Sequence, residues 1–247
     1  MELESTVDMD VNLDIVRMTT TMIATPAYGG QCGIRYATTM MNVFSVASHN
    51  NVPLLMQTID NESLISRGRN WLAGAFIKSD ADLLLFIDGD MSFDPSVVFH
   101  LIQLMIVYPE IDVLGVACPV KAVPPTFAVN VTEEVREEFY VDRPIPSKNV
   151  GTGIMMIRRS ILEKITKEYP EKAYLASFTG EPLVDFFNPM VDPDTKEYLS
   201  EDYSFCRDVL AVGGSVYTVP YFTIEHSGTY VYSGNYSEYA MQQHASK

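Results

Sequence analysis

The first half of the chain alternates between short apolar runs rich in β-branched residues and longer segments with helical periodicity. The apolar runs at 19–25, 52–59, 82–88 and 111–118 predict strands, and the segments at 34–48, 64–77 and 94–107 predict helices. Consecutive parallel strands need a crossover, which is usually a helix packed on the sheet. The sequence therefore predicts an α/β fold with a mostly parallel central sheet flanked by helices.

The second half of the chain is less regular. Residues 119–150 are rich in Pro, Glu and Val without a steady period, so we expect an irregular excursion there. Short strands are predicted at 151–158, 174–178, 183–188, 215–219 and 222–226. Ser160 and Glu163 form a capping box for one helix, and Ser200 caps another that ends at 213–214. These pieces predict a smaller mixed sheet in the C-terminal half.

Composition narrows the classes of partner and compartment. The 247 residues contain 32 Asp and Glu against 17 Lys and Arg, a net charge of −15. Nucleic-acid binding depends on Lys and Arg that neutralise phosphates, so no nucleic-acid partner is expected. No apolar run approaches the ~20 residues of a membrane span. Three cysteines without paired spacing favour reduced thiols and a cytoplasmic location.

The most informative motif is a pair of carboxylates directly after the apolar run 83–87. Asp88 and Asp90 are separated by Gly89 alone, and alternate residues of an extended chain point the same way. Ligands of open α/β sheets bind beyond the carboxyl ends of the strands. Hard divalent ions such as Mg²⁺ and Mn²⁺ bind carboxylates together with substrate phosphates. The motif predicts a metal site, and the alternative is an acidic turn in which Asp90 only hydrogen-bonds the loop.

Two further motifs lie at the ends of predicted elements in the first half. Residues 25–30 (TPAYGG) form a tight turn in which a nucleotide base can stack on Tyr28, although a plain strand-to-helix turn explains them equally well. Arg67 and Asn70 share a helix face near its N-terminus, where a diphosphate is favoured. Arg69 is expected about 200° away from Arg67 on the same helix. The alternative is two solvated arginines.

Two motifs of the second half could act in chemistry. Glu201 and Asp202 follow Ser200 at a helix start, where acids stabilise the helix dipole and can also serve as a general base. His226 ends a predicted strand before Ser227 and Gly228. A lone histidine is usually structural, and only a carboxylate site nearby would make it a metal ligand.

Six segments in this order resemble nucleotide-sugar-dependent glycosyltransferases of the GT-A fold. They are most similar to the small glycosyltransferase domains of large algal viruses and phages, over about residues 20–234. The segments are 25–30 (TPAYGG), 65–70 (ISRGRN), 86–90 (FIDGD), 151–155 (GTGIM), 200–206 (SEDYSFC) and 226–228 (HSG). No single segment is specific, and the resemblance depends on their order. It implies a GT-A-type, Rossmann-like sheet and, for a viral protein, the host cytoplasm.

The resemblance also implies roles for residues around the donor. Asp90 and His226 would bind Mn²⁺ or Mg²⁺ against the donor diphosphate, with Asp88 on the ribose or on the metal's shell. Arg67 would reach the diphosphate. The remaining donor-binding residues would be Thr25, Pro26, Tyr28, Asp60, Asn70, Gly89 and Gly153. The implied donor is a nucleotide sugar, with UDP-sugar preferred.

On the acceptor side, the resemblance implies that Asp202, or its neighbour Glu201, is catalytic and faces a hydroxyl of a glycan. Whether the reaction inverts or retains the anomeric centre stays open. The expected organisation is a flexible acidic leader (1–18), one catalytic domain (19–234) and a tail (235–247). Within the domain, 19–118 would bind the nucleotide and 119–234 the acceptor.

Two other functions compete with this interpretation. A sugar-nucleotide nucleotidyltransferase uses a similar sheet but carries a longer basic, Gly-rich loop after its first strand, and here Arg35 is the first base after that strand. A non-catalytic carbohydrate-binding module would use surface tyrosines such as Tyr230, Tyr232 and Tyr236. The latter leaves the paired aspartates unexplained.

Overall fold

The computed structural model describes residues 11–124, 126–127, 129–132, 143–177 and 179–245. In chain order its strands are β1 (Thr21–Ala27), β2 (Leu54–Asp60), β3 (Leu83–Ile87), β4 (Met91–Ser92), β5 (Val113–Val116), β6 (Val129–Val131), β7 (Ile145–Val150), β8 (Ile154–Arg158), β9 (Ala173–Leu175), β10 (Pro182–Val184), β11 (Met190–Val191), β12 (Tyr198–Leu199), β13 (Val216–Val219), β14 (Thr223–Ser227) and β15 (Val231–Asn235). The helices are α1 (Leu13–Val16), α2 (Ile34–His49), α3 (Ile65–Lys78), α4 (Ser96–Val107), α5 (Arg159–Glu168), α6 (Glu201–Ala211) and α7 (Tyr236–Ala245).

The central sheet contains eight of the described strands, in the order β2-β1-β3-β8-β5-β13-β7-β6. Six of them run in one direction, while β8 and β7 run antiparallel to their neighbours. Three small antiparallel sheets, β9-β10, β11-β12 and β4-β14-β15, lie outside it. The predicted α/β architecture, with a mostly parallel central sheet and additional smaller sheet structure, is confirmed.

The core occupies both faces of the sheet, as the inner strand β3 shows, because β3 is apolar and buried at every position. Along β3, Leu83, Leu85 and Ile87 pack with α1, α2 and α4, while Leu84 and Phe86 pack with α3, α5 and α6. This alternation follows from the two-residue period of a strand. The middle of the sheet is therefore covered on both faces, and the polar residues that follow β3 lie at the edge of this core.

The insertion of β8 between β3 and β5 was not predictable from periodicity. Because β8 is antiparallel to β3, with Ile154 opposite Ile87, its entry turn at 151–153 lies beside the carboxyl end of β3. The polar strand β7 also lies within the region predicted to be irregular. Its buried Ser147 donates to Thr218 Oγ1 at 2.8 Å, so a satisfied polar residue replaces the apolar residue that a strand pattern would show.

Several predicted boundaries differ from the structure. The capping box at Ser160 and Glu163 is wrong, since α5 begins at Arg159, directly after β8. Within the predicted leader, residues 11–18 include α1, whose Val16 is fully buried against the core, and residues 1–10 lie outside the described residues. Within the predicted tail, residues 236–245 form α7. In the described part of the chain no helix has the length and apolar character to span a membrane.

Candidate functional site

The loop of Asp88, Gly89 and Asp90 follows β3 and is held by the backbone on several sides. Asp88 N donates to the carbonyl of Gly153 at 3.0 Å, which ties the loop to the turn before β8. Gly33 N donates to the carbonyl of Gly89 at 2.7 Å, which ties it to the start of α2. A Cβ on Gly89 would lie 3.3 Å from Cys32 Cβ, so a glycine permits this close packing. The two carboxylates therefore start from a fixed backbone.

The pairing of β4 with β14 brings His226 to Asp90. His226 lies opposite Met91 in the ladder, and Ser227 N donates to the carbonyl of Asp90 at 2.8 Å. The His226 ring then places Nε2 3.2 Å from Asp90 Oδ2. Its Nδ1 lies 2.8 Å from the carbonyl of Pro119, which can only accept a hydrogen bond, so Nδ1 carries a proton. Nε2 is thus directed at the carboxylate.

Lys121 is the second side chain that contacts the Asp90 carboxylate. Its Nζ lies 2.6 Å from Asp90 Oδ2, the same oxygen that faces His226. Burial raises the pKa of Asp90, but the hydrogen bonds and charges of His226 and Lys121 outweigh it and lower the pKa to about 2. Asp90 is therefore an anion throughout the neutral range.

Asp88 is turned toward a different cation, Arg69 of α3. Arg69 Nη2 donates to Asp88 Oδ1 at 2.9 Å, and Nε points at Glu201 Oε1 at 3.4 Å. The arginine side chain is 3% exposed, with its guanidinium over the ring of Phe86. Its third nitrogen, Nη1, is buried and has no hydrogen-bond partner among the described residues. A buried unpaired donor is unfavourable, so Arg69, which lines the cleft described below, carries an unsatisfied hydrogen-bond donor.

Glu201 and Asp202 begin α6 and have different surroundings. Burial, and then the charge of Asp202, raise the pKa of Glu201, while Arg69 opposes the rise. Asp202 accepts hydrogen bonds from Ser200 Oγ and from the backbone N of Tyr203. A Cβ on Gly151 would lie 3.6 Å from Asp202 Oδ2, so Asp202 faces the turn before β8. Glu201 thus contacts Arg69, whereas Oδ2 of Asp202 faces the turn at 151–153.

A cleft of about 480 Å³ opens beside these groups. It is lined by Pro26, Tyr28, Gln31, Cys32, Gly33, Ile65, Arg69, Asp88, Gly89 and Asp90. Its size lies within the usual range for small-molecule sites. The ring of Tyr28, 74% exposed, stands at its edge. Of the predicted site residues, the cleft brings together Pro26, Tyr28, Asp88, Gly89 and Asp90, and it adds Arg69, which the prediction did not include.

The predicted face of α3 needs a correction. Arg67 does not line the cleft, because its guanidinium is paired with Glu62 at 2.6 and 2.7 Å and is half exposed. Arg69, expected on another face of the helix, is the arginine that enters the site. The apolar sequence pattern shows which side of α3 packs on the sheet, but it does not reveal that the partly buried Asp88 carboxylate pairs with an arginine on that side.

Four other predicted donor-binding residues do not line the cleft, and each makes structural contacts elsewhere. Thr25 is buried and donates to the carbonyl of Ile87 at 2.8 Å, which joins β1 to β3. Asn70 is also buried and bonds Asp185 and the backbone N of Phe187. Asp60 is exposed and accepts from Asn61. Gly153 leaves room for Met91, whose Cε would lie 2.7 Å from an added Cβ.

The residues at Asp90 fit part of a divalent-cation site. Two adjacent ligands of an octahedral ion at about 2.1 Å lie about 3 Å apart, which matches the 3.2 Å between Asp90 Oδ2 and His226 Nε2. A histidine whose other nitrogen donates to a carbonyl is typical of a metal ligand. Among the described residues no group of three His, Cys, Asp or Glu surrounds a common point. The remaining ligands would come from water and substrate phosphates, as is usual for Mg²⁺.

Comparisons with family models and with curated proteins find no match. Solved structures give distant similarities. GalNAc-T7, crystallised with UDP, GalNAc and Mn²⁺, is 10% identical with a TM-score of 0.49, over 84% of this chain and 43% of its own. A glycosyltransferase involved in the glycosylation of the major capsid of PBCV-1 is 14% identical with a TM-score of 0.34, over 65% and 71%. S. aureus TarS 1-349 is 13% identical with a TM-score of 0.42, over 81% and 58%. The chain therefore spans less than two thirds of GalNAc-T7 and TarS 1-349.

Proposed function

We propose that this chain is a glycosyltransferase that moves a sugar from a nucleoside-diphosphate donor, preferably a UDP-sugar, to a hydroxyl of a glycan or another acceptor. The supporting observation is that two sets of interacting polar side chains meet at the carboxyl end of β3. Asp90 pairs with His226, and Asp88 is joined through Arg69 to Glu201. Both lie beside a cleft with an exposed aromatic ring at its edge.

The nucleoside and the diphosphate of the donor would bind to different parts of the cleft. The ring of Tyr28 offers a face on which the base can stack, next to Pro26. The unpaired Nη1 of Arg69 offers a donor to a phosphate oxygen. In this arrangement Arg69 takes the diphosphate-binding role that the sequence assigned to Arg67.

The charge of the site favours a divalent cation with the donor. Asp88 and Glu201 contact Arg69, and Asp90 contacts Lys121. Asp202 adds a further negative charge near Glu201, so four carboxylates accompany these two basic side chains. A diphosphate added to this excess of negative charge would be repelled. Asp90 and His226 would hold Mn²⁺ or Mg²⁺, and the bound ion would supply positive charge to neutralise the departing diphosphate.

Asp202 is the residue that we assign to the acceptor. It begins α6 beside the turn at 151–153, and its Oδ2 faces that turn. In an inverting reaction Asp202 accepts the proton of the attacking hydroxyl. In a retaining reaction it stabilises the positive charge that develops on the sugar. Glu201, bound to Arg69, instead positions the guanidinium.

The test is a screen of nucleotide sugars for donor hydrolysis with Mn²⁺ or with a chelator, together with the melting temperature in UDP and Mn²⁺. We expect one class of donor to be hydrolysed when Mn²⁺ is present and not when the chelator is present. We also expect a rise in melting temperature that requires both UDP and Mn²⁺. Asp90→Asn is the matched inactive variant. If free sugars raise the melting temperature but UDP with Mn²⁺ does not, the protein is instead a carbohydrate-binding module.

A further inference from the structure

The ammonium of Lys121 occupies a position that the proposed function assigns to a metal. Lys121 Nζ lies 2.6 Å from Asp90 Oδ2, and His226 Nε2 lies 3.2 Å from the same oxygen. A divalent ion held by that oxygen and by Nε2 would lie about 2.1 Å from the oxygen. Two cations that share one carboxylate oxygen at such distances repel each other strongly. Lys121 and the ion therefore cannot both bind Asp90 Oδ2.

The contact of Lys121 is built into the surrounding backbone. A Cβ on Gly228 would lie 3.3 Å from Lys121 Cδ and 3.5 Å from its Cε, so this glycine leaves room for the lysine stem. Pro119, two residues before Lys121, bridges to Phe127 and accepts from His226 Nδ1. The same short segment thus orients the histidine and delivers the ammonium.

The lysine can leave without unfolding its surroundings. Its side chain is 42% exposed, and Asp90 is its ion-pair partner in the described part of the chain. A half-exposed lysine pair is worth little free energy, because water solvates the ammonium well once it is released. The strong attraction of a divalent ion to a carboxylate can therefore displace it.

We propose that Lys121 is a competing internal cation, which neutralises Asp90 before the metal binds and must be displaced when the metal enters. The inference rests on the proposed function, in which Asp90 and His226 are metal ligands. It implies that Lys121 weakens the affinity of the free protein for divalent ions. The phosphates of the donor supply further metal ligands, and their binding free energy compensates for the loss of the Lys121–Asp90 ion pair. Metal and nucleotide therefore bind cooperatively.

The experiment measures Mn²⁺ binding to the full chain without nucleotide, from the loss of the free-ion signal in electron paramagnetic resonance. Lys121→Met keeps the stem and removes the charge, and it should bind Mn²⁺ about tenfold more tightly than the unaltered chain, or about 1.4 kcal/mol. Lys121→Arg keeps the charge and should bind like the unaltered chain. Lys78→Met removes a lysine from the exposed pair with Glu181, and it controls for net charge.

The outcomes separate this inference from the proposed function. Tighter binding by Lys121→Met alone supports the competition. Equal or weaker binding by Lys121→Met, or equal tightening by Lys78→Met, overturns it and leaves the metal site standing. If neither the unaltered chain nor Lys121→Met binds Mn²⁺, even with UDP present, the metal assignment of Asp90 and His226 fails and the competition fails with it.

Discussion

Arg69 Nη2 lies 2.9 Å from Asp88 Oδ1, and the arginine is 3% exposed although it carries a full charge. The pair joins α3 to the end of β3, and the contact of Arg69 with Glu201 extends it to the start of α6. One guanidinium therefore holds together carboxylates from both halves of the chain. Removing one partner of such a buried pair leaves an uncompensated charge, which is far more unfavourable than losing a surface pair.

We predict that Arg69→Met lowers the free energy of unfolding by about 3 kcal/mol, because Asp88 and Glu201 lose their shared partner. Urea unfolding measures this change. Arg69→Lys keeps the positive charge but not the planar guanidinium. This variant should fold, and it should bind UDP with Mn²⁺ at least tenfold more weakly than the unaltered chain. Arg67→Met is the matched control, since Arg67 pairs only at the surface with Glu62. Equal effects of Arg67→Met and Arg69→Met would contradict the observed orientation of α3.

Asp90→Asn should weaken Mn²⁺-dependent UDP binding by more than tenfold, or more than about 1.4 kcal/mol, because a neutral amide is a poor ligand for a hard cation. His226→Ala should have a smaller effect, since water can replace one neutral ligand. Calorimetry with and without Mn²⁺ measures both. Asp94→Asn serves as the control. Asp94 is exposed and accepts a hydrogen bond from Ser96 N at the start of α4, and an asparagine can accept the same hydrogen bond. Unchanged UDP affinity in Asp90→Asn would refute the metal assignment.

The pH dependence of stability should identify the Asp90 carboxylate independently of any ligand. The folded pKa of Asp90 is lowered to about 2 from 3.8, so the stability that Asp90 contributes is present above pH ~4 and is lost between pH ~4 and ~2. Urea unfolding of the unaltered chain and of Asp90→Asn should therefore show a stability difference that narrows over this window. A difference that stays constant from pH 5 to pH 2.5 would mean that Lys121 and His226 do not stabilise the anion.

Periodicity predicted the elements around the site well because these elements are long or fully buried. The run at 83–87 and the two aspartates behind it define the strand end and its carboxylates without any tertiary information. The nearness of His226 to Asp90 is different, since it depends on the two-residue strand β4. Two residues give no periodic signal, so a sequence pattern cannot reveal that pairing.

The positions of the cations Arg69 and Lys121 could not be predicted from the sequence, for a common physical reason. The sequence assigned Arg67 to the donor diphosphate and placed Arg69 about 200° away on the same helix, whereas Arg69 is the arginine that is buried and paired. Its partners, Asp88 and Glu201, are 19 and 132 positions away. Lys121 lies in the segment 119–150, which has no regular period, so the sequence gives no signal for its contact with Asp90. Pairings over such distances depend on the order of the strands, which the insertion of β8 makes irregular.

Tyr28→Ala should weaken UDP binding by about tenfold without changing stability. The ring is 74% exposed, so little packing is lost, while stacking of a base on an aromatic ring contributes about 1–3 kcal/mol. Tyr198→Ala is the matched control, because Tyr198 is 72% exposed on β12 and does not line the cleft. Calorimetric titration with UDP and Mn²⁺ distinguishes them. Equal UDP affinities of the two variants would show that the base does not stack on Tyr28.

Asp202 and Glu201 are neighbours in sequence, and their substitutions should separate chemistry from donor binding. A carboxylate that acts only in the transition state lowers turnover and leaves ground-state binding unchanged. Asp202→Asn should therefore bind UDP and Mn²⁺ normally and transfer sugar about 10²–10⁴-fold more slowly, the usual size of a general-base contribution. Glu201→Gln weakens the hold on Arg69, so it should mainly raise the Michaelis constant for the donor. Steady-state kinetics on the acceptor found by the donor screen measures both. Near-normal turnover of Asp202→Asn would move the catalytic role to another carboxylate and leave the donor site unaffected.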